Sequence, residues 1–518
     1  MSKKHSRGYT TLLILAALAA SVTACLAHAD AQSGPTLWKI PEEPTFADVS
    51  PDPDQTQDAI ALYQPYFDQF SWQTFVALNW PATENGEPDT GKWIGADVKD
   101  ISVWEHWMNA DDLFPGSGKE PAPWGRMYVP FACGPVKPDK DGTIPSGQYL
   151  IFTSDDDSIE TRLATTDSLQ VEGNGPLVDQ NKVWARFEAY VDHEAYNYII
   201  KEHLYTADGQ RAFKESGKRI HFPANSMELK AVWKVIGKGD NALDYHTRDA
   251  VFFDNKAKTC QTAKVGLVAM HILARTSLMP NGVWATFDRA ANQCQLIPPR
   301  HKARPENVAA PSGSKPAVAQ EQEGQAWSSG AFCSAQCMTN PGGQDCTPNK
   351  RPPQPWRPPV DPTSPSNTPK TQVVRNKPIP NSSLQSGSSF KYLLQQINPS
   401  GVWKNYELIG TQWVLSLRPD MNTAATQSHF IPSFAGVAPQ YTPRLTPQIK
   451  ESKCNESYSL SLECPGLVTP VILANPMIET YAQNGSSCFG CHQQAHTSFN
   501  QSADFSWLLS RVGKTTNP

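Results

Sequence analysis

The chain has 518 residues, 39% of them apolar and 10% aromatic, and this composition excludes a disordered or low-complexity protein. The formal net charge of −5 argues against nucleic acid as a partner. At roughly 150 residues per unit the length suits about three units, with a core large enough to need no cross-link simply to fold.

The chain opens with Lys3, Lys4 and Arg7, followed by a short apolar run over residues 12–20, which reads as an export leader. Val22-Thr-Ala-Cys25 has the form of a bacterial lipobox, which would remove residues 1–24 and make Cys25 the lipidated first residue. Ala27-His-Ala29 offers ordinary cleavage after residue 29 instead. Either leader carries away three positive residues and no acid, so the net charge moves from −5 to −8. The apolar run is too short for a stable membrane span. The expectation is a periplasmic protein, either free or held to the outer membrane by a lipid anchor alone.

Residues 30–55, rich in Pro, Asp and Ala, read as a tether. From residue 57 to 78 the aromatic residues Tyr63, Tyr66, Phe67, Phe70 and Phe75 recur at threes and fours, which predicts a helix ended by Pro81. Within residues 56–299 the patterns are mostly strand-like. Residues 149–152 (YLIF) form one candidate strand. Residues 227–236 alternate, with Met227, Leu229, Ala231, Trp233 and Val235 on one face and Glu228, Lys230 and Lys234 on a face expected to be solvated. Residues 265–273 are apolar on both faces, as in a central strand, and residues 282–287 are expected to pair beside them. A helix is expected over 194–205. These patterns predict an α+β fold, with a large domain built on a mainly antiparallel sheet.

Residues 300–380 read as a Pro-rich connection; 17 of the 45 prolines fall between 298 and 380, and Cys333, Cys337 and Cys346 lie inside. Sheet-like patterns resume at 402–409 and 413–417, so residues 381–470 read as a continuation of the sheet domain. Asn475-Pro476 predicts a helix start, with the helix running to about residue 481. Residues 471–518 form a small C-terminal helical segment carrying the one strong motif.

That motif is Cys488-Phe-Gly-Cys491-His492, the C-x-x-C-H attachment signature of c-type haem. Two thiols at this spacing can add across the two vinyl groups of the porphyrin, and the adjacent histidine then lies under the iron as its proximal ligand. At this chain's residue frequencies the pattern arises by chance in roughly one of 200 such sequences. The blander readings are a redox pair, half a zinc site or two structural cysteines. A second C-x-x-C is absent, which weakens zinc.

No methionine follows His492, and His496 is only one helical turn away. A distal ligand therefore comes from upstream or is missing. Met477 is the nearest candidate, with Met421 and His429 as further options. His271, alone in an apolar strand, reads first as a hydrogen-bonded core residue and second as a ligand or catalytic group. Asp155-Asp156-Asp157 reads as an acidic turn, with a calcium site as the sharper alternative. His193-Glu194 begins a zinc motif that fails at Asn197. The sequence has no nucleotide-binding glycine loop and no serine elbow.

The 11 cysteines fit an oxidising compartment. With Cys25, Cys488 and Cys491 set aside, eight remain for disulfides, and Cys260–Cys294 and Cys454–Cys464 are the expected local pairs.

Five stretches resemble uncharacterised exported cytochrome c family proteins of Gram-negative bacteria: residues 71–80 (SWQTFVALNW), 221–233 (HFPANSMELKAVW), 266–287, 406–413 (YELIGTQW) and the C-x-x-C-H motif. The resemblance implies one covalent haem c at Cys488 and Cys491, ligated by His492, and implies no particular reaction. The expected function is that of an exported mono-haem c-type cytochrome performing one-electron transfer with a redox partner protein. The alternatives are a haem enzyme with an open distal site, peroxidase-like or passing electrons to the haem, and a binding protein with a structural haem.

Overall fold

The computed structural model describes residues 36–45, 56–116, 119–154, 175–255, 257–297, 468–469 and 472–512, together with 326–414 apart from 341, 344, 355, 357–360 and 362. The leader, Cys25, most of the tether, Asp155 to Asp157, Met421, His429 and the Cys454–Cys464 pairing lie outside these residues.

Helix α1 spans Thr56–Leu78. Tyr63, Phe67 and Phe70 share one buried face, and the buried Trp72 and Phe75 extend it round the helix. Asn79 closes the helix by donating its amide to the Phe75 carbonyl at 2.7 Å while its Oδ1 accepts the Trp104 indole at 2.9 Å.

That face lies on a nine-stranded sheet. Its main path runs β1 (Met108–Asn109), β5 (Arg186–Val191), β6 (Met227–Val235), β8 (Thr259–Ala274), β9 (Val283–Arg289), β12 (Tyr406–Val414) and β13 (Val468–Thr469), all antiparallel. Strand β8 is 16 residues long and serves two partners on one edge. Its first half pairs there with β7 (Thr247–Asp254) and its second half with β9, while β6 runs along the opposite edge. β4 (Leu150–Ser154) joins β7 in the only parallel ladder among the described strands. Outside this sheet lie the pair β2 (Arg126–Tyr128) and β3 (Thr143–Pro145), the pair β10 (Gln295–Ile297) and β11 (Ala326–Ser328), and the short helices α2 (Ala110–Leu113) and α5 (Ala335–Thr339). The architecture is α+β with a large, mostly antiparallel sheet.

Alternation sorts the sheet residues by face. Met227, Leu229, Ala231 and Trp233 of β6, Met270 and Ile272 of β8, and Ala285 and Phe287 of β9 meet α1. They also meet α6 (Asn381–Ile397), a helix absent from the sequence expectation. Phe75 stacks on Phe287 at 4.1 Å, Phe67 on Trp413 at 4.2 Å, and Trp72 lies parallel to Phe390 at 5.5 Å.

The other face departs from expectation. Glu228 and Lys230 are only partly exposed and Lys234 is buried, so this is no solvated face. Lys234 Nζ reaches Asp179 at 3.1 Å and Asp240 at 2.5 Å. The C-terminal segment and residues following β9 cover the rest of the face. Polar residues at alternate positions mark one side of a strand but do not say whether water or a polar partner lies against it.

Further corrections have local causes. The helix expected over 194–205 ends at Lys201 (α3, His193–Lys201), because His203 takes a left-handed φ of 53° and the chain restarts as α4 (Ala207–Glu215) under a Thr206 cap. Residues 475–485 form successive turns, not a helix: Asn475 Oδ1 accepts the Met477 N–H at 2.8 Å and Glu479 folds back to accept the Asn475 N–H at 2.7 Å, satisfying the backbone locally. The two strands expected at 402–409 and 413–417 merge into β12, which carries a register shift between Leu408 and Gly410.

Cys260 does not pair with Cys294. Among the described residues the disulfides are Cys133–Cys260, Cys294–Cys333 and Cys337–Cys346. Asn292 donates to the Val268 carbonyl at 2.7 Å, which puts Cys294 beside the middle of β8. Cys260 lies eight residues upstream on the same strand, about 26 Å away at ~3.3 Å per residue, beyond the ~7 Å limit for bridged Cα atoms.

Candidate functional site

The C-x-x-C-H residues form α7 (Cys488–His492), one short turn of helix. Ser487 caps it, its hydroxyl accepting the Gly490 N–H at 3.1 Å. Gln412 of β12, fully buried, clamps this start: its Oε1 accepts the Phe489 N–H at 2.7 Å, and its amide exchanges hydrogen bonds of 3.0 and 3.1 Å with the Ser487 hydroxyl. A neutral amide at this position serves as donor and acceptor at once, which a carboxylate could not. Cys488 and Cys491 stay outside the three disulfides as thiols on this turn.

His492 is held on two sides. Its Nδ1 lies 2.7 Å from the Phe505 carbonyl oxygen, and its ring lies 4.6 Å from that of Trp284 on β9. A carbonyl only accepts, so Nδ1 carries the proton and Nε2 the lone pair, the tautomer an Nε2 metal ligand requires. Burial, with the nearby Lys230 and Arg275 charges adding to it, lowers the His492 pKa to about 4, against the opposing effect of the Phe505 hydrogen bond. The imidazole is thus neutral and able to ligate at neutral pH.

The Phe505 carbonyl is aimed by a strained loop. Asp504 and Phe505 both adopt left-handed backbone angles, φ 49° and 68°. Asp504 accepts the Phe222 N–H at 2.7 Å, and its carbonyl accepts Arg275 Nη2 at 2.9 Å. Arg275 Nη2 also donates to Glu228 Oε1 at 3.0 Å, and Glu228 Oε2 accepts the Ser506 hydroxyl at 3.1 Å. Glu228 and Arg275 therefore fix residues 504–506 from below. The Phe505 ring packs 5.0 Å from Phe489, closing the apolar side of the turn.

Beside the motif, Lys230 of β6, His271 of β8 and Thr286 of β9 stand in one row across the sheet. Thr286 is engaged by Asn475 at 2.9 Å. His271 Nε2 lies 3.5 Å from Glu479 Oε2, is sealed from solvent and has no hydrogen-bond partner. Burial, followed by the charges of Lys230 and His492, holds the His271 pKa well below its ordinary value. Burial lowers Lys230 to about 8 despite Glu479, and raises the Cys488 thiol, with Glu479 and Cys491 adding to the effect.

Met477 does not join this group. It is fully buried in an apolar cluster with Val232, Val268, Phe332 and Val373. His496 is exposed, bonded at Nδ1 to the Gln494 carbonyl at 3.0 Å and set edge-on to Trp507. Sequence reasoning missed Gln412, Arg275, Trp284, Glu479 and the Phe505 carbonyl. Gln412 and Trp284 fall inside the resembling stretches, but nothing in a single sequence joins them to a motif at 488–492.

No family model matches the chain, and neither a curated protein nor a solved structure matches it. None of the described helices is long and apolar enough to cross a membrane. The three disulfides are of a kind that forms and persists in oxidising compartments.

The donor set suits covalent haem: two thiols one helical turn apart, and a neutral histidine on the same turn whose distal nitrogen is free of its backbone hydrogen bond.

Proposed function

We propose that the protein is an exported, mono-haem c-type cytochrome that passes single electrons to and from a redox partner protein in the periplasm. The observation that carries this reading is His492: it adjoins the C-x-x-C pair, and its Nδ1 is tied to the Phe505 carbonyl so that Nε2 is presented as a ligand. Haem bound there supplies an iron that changes oxidation state by one electron. The chain does the rest. Cys488 and Cys491 hold the group covalently, Gln412 and Ser487 fix the turn they ride on, and Glu228 with Arg275 holds the loop that orients His492. Trp284 packs on the His492 ring, and Phe505 on Phe489 of the same turn. The alternative, a haem enzyme, draws on Lys230, His271 and Glu479 as acid–base groups beside the motif.

The test is the full chain expressed with periplasmic export and haem-attachment machinery. A c-type haem spectrum surviving denaturation, lost in Cys488→Ala/Cys491→Ala, is expected. A chain that carries no denaturation-resistant haem overturns the proposal. Ready carbon monoxide binding by the wild-type protein would favour the enzyme over simple electron transfer.

A further inference from the structure

Resting on the haem reading above, we infer that His271 Nε2 is the second axial ligand of the haem iron, opposite His492. Three observations meet on this residue. First, its Nε2 is buried with no hydrogen-bond partner. An unpaired buried polar atom is destabilising, so its persistence in a central strand points to a ligand role. Second, the two polar neighbours nearest in the structure are engaged with Asn475: the Thr286 hydroxyl accepts its amide, and Glu479 Oε2 takes its N–H while standing 3.5 Å from His271.

Third, the placement is right. His271 and the Trp284 that packs on His492 lie on one face of paired strands. Trp284 sits opposite Leu273, two residues along β8, so it is the diagonal neighbour of His271 at roughly 7–8 Å between Cα atoms. His492 is close enough for its charge to act on His271. The two histidines thus come from separate elements, a strand locked between β6 and β9 and a capped turn over it, as a pair of ligands on opposite faces of one ring requires. Among the described residues, other candidate donors point elsewhere: Met477 into its apolar cluster, Met270 to the α1 face and His496 to solvent.

The test uses the full haem-loaded chain and reads spectra, not activity. The wild-type protein is expected to be low-spin in both oxidation states, with no shift under carbon monoxide. His271→Ala is expected to become high-spin when oxidised and to bind carbon monoxide when reduced, and His271→Gly to return to low-spin with added imidazole. His271→Met retains a ligand, so it should stay low-spin with a raised potential; it remains informative if the smaller variants fail to fold. A low-spin His271→Ala that excludes carbon monoxide overturns the assignment, as does a wild-type protein that is high-spin. Haem content after denaturation separates the two levels. Covalent haem with spectra indifferent to position 271 removes only the ligand, whereas absence of covalent haem from the wild-type chain removes the cytochrome reading and this inference with it.

Discussion

Arg275 Nη2 lies 3.0 Å from Glu228 Oε1, with the guanidinium side chain wholly buried. This pair joins β6 to the residue that follows β8 and reaches upward to the Asp504 carbonyl and the Ser506 hydroxyl. The carbonyl between them, that of Phe505, orients His492. The pair therefore couples the sheet to the C-x-x-C-H turn through two hydrogen bonds that flank the support of His492.

Glu228→Ala leaves a buried guanidinium without its carboxylate, and breaking one partner of such a pair costs about 3–5 kcal/mol. The urea midpoint should fall accordingly. Glu228→Gln keeps an acceptor for Arg275 and Ser506 and should lose less. In both variants the change at His492 is read from the spin state, which a purely structural role would leave unaltered. Equal midpoints for Ala and wild type would show that the pair does not carry the loop.

Gln412 gives a second, independent test. Leucine at this position fills similar volume but orphans the Phe489 N–H and the Ser487 hydroxyl. The loss should be about 1–3 kcal/mol for a buried unsatisfied group, and the frayed turn should accumulate less covalent haem per chain. Gln412→Leu with wild-type haem content and wild-type stability would dismiss the clamp.

How far these relations could be read beforehand depended on sequence distance. The period-2 pattern of residues 227–235 and the apolar run of β8 were legible because a strand's face is encoded locally. The C-x-x-C-H spacing was legible because attachment chemistry fits within five residues. Glu228 was legible as polar but not as partnered, since Arg275 and Ser506 lie 47 and 278 residues away. The Cys260–Cys294 pairing failed for the same reason. Closeness in sequence suggested it, while the length of β8 carries Cys260 to the opposite end of the sheet, where Cys133 waits 127 residues back.

Glu105 sets the acid limit of stability. It is fully buried beneath α1, its Oε1 3.1 Å from His246 Nε2 and 3.4 Å from Arg248 Nε, its Oε2 accepting the Ser102 N–H at 2.7 Å. Burial alone would raise its pKa, but Arg248 and His246 outweigh that and bring it to about 2. The folded pKa is below the unfolded value, so the stabilisation is full above about pH 4.5 and is lost as pH falls through 2. The contribution is on the order of 3 kcal/mol at ~1.4 kcal/mol per pKa unit. Glu105→Gln should be less stable at pH 7 and should show a flatter acid limb between pH 5 and 2, measured by urea unfolding at each pH. A variant whose acid limb parallels the wild type would remove Glu105 from this role.

Asp112 acts in the opposite direction. Its carboxyl is buried and accepts the Tyr128 N–H at 2.7 Å. Burial raises its pKa to about 8, with the Tyr128 hydrogen bond opposing and Asp111 adding to the rise. The native state therefore keeps a proton that the unfolded chain releases near pH 3.8, and native stability declines as pH climbs from about 4 to 8. Asp192 and Asp288, each raised to about 7 chiefly by burial, add slopes of the same sign. Asp112→Asn keeps the acceptor for Tyr128 and removes the ionisation. The variant should match the wild type at pH 4 and exceed it by about 2 kcal/mol or more at pH 8, with a shallower decline between. Some decline must remain, because Asp192 and Asp288 still titrate. Urea unfolding of both proteins at pH 4, 6 and 8 measures the difference, and parallel profiles would mean that Asp112 is already ionised in the native protein at neutral pH.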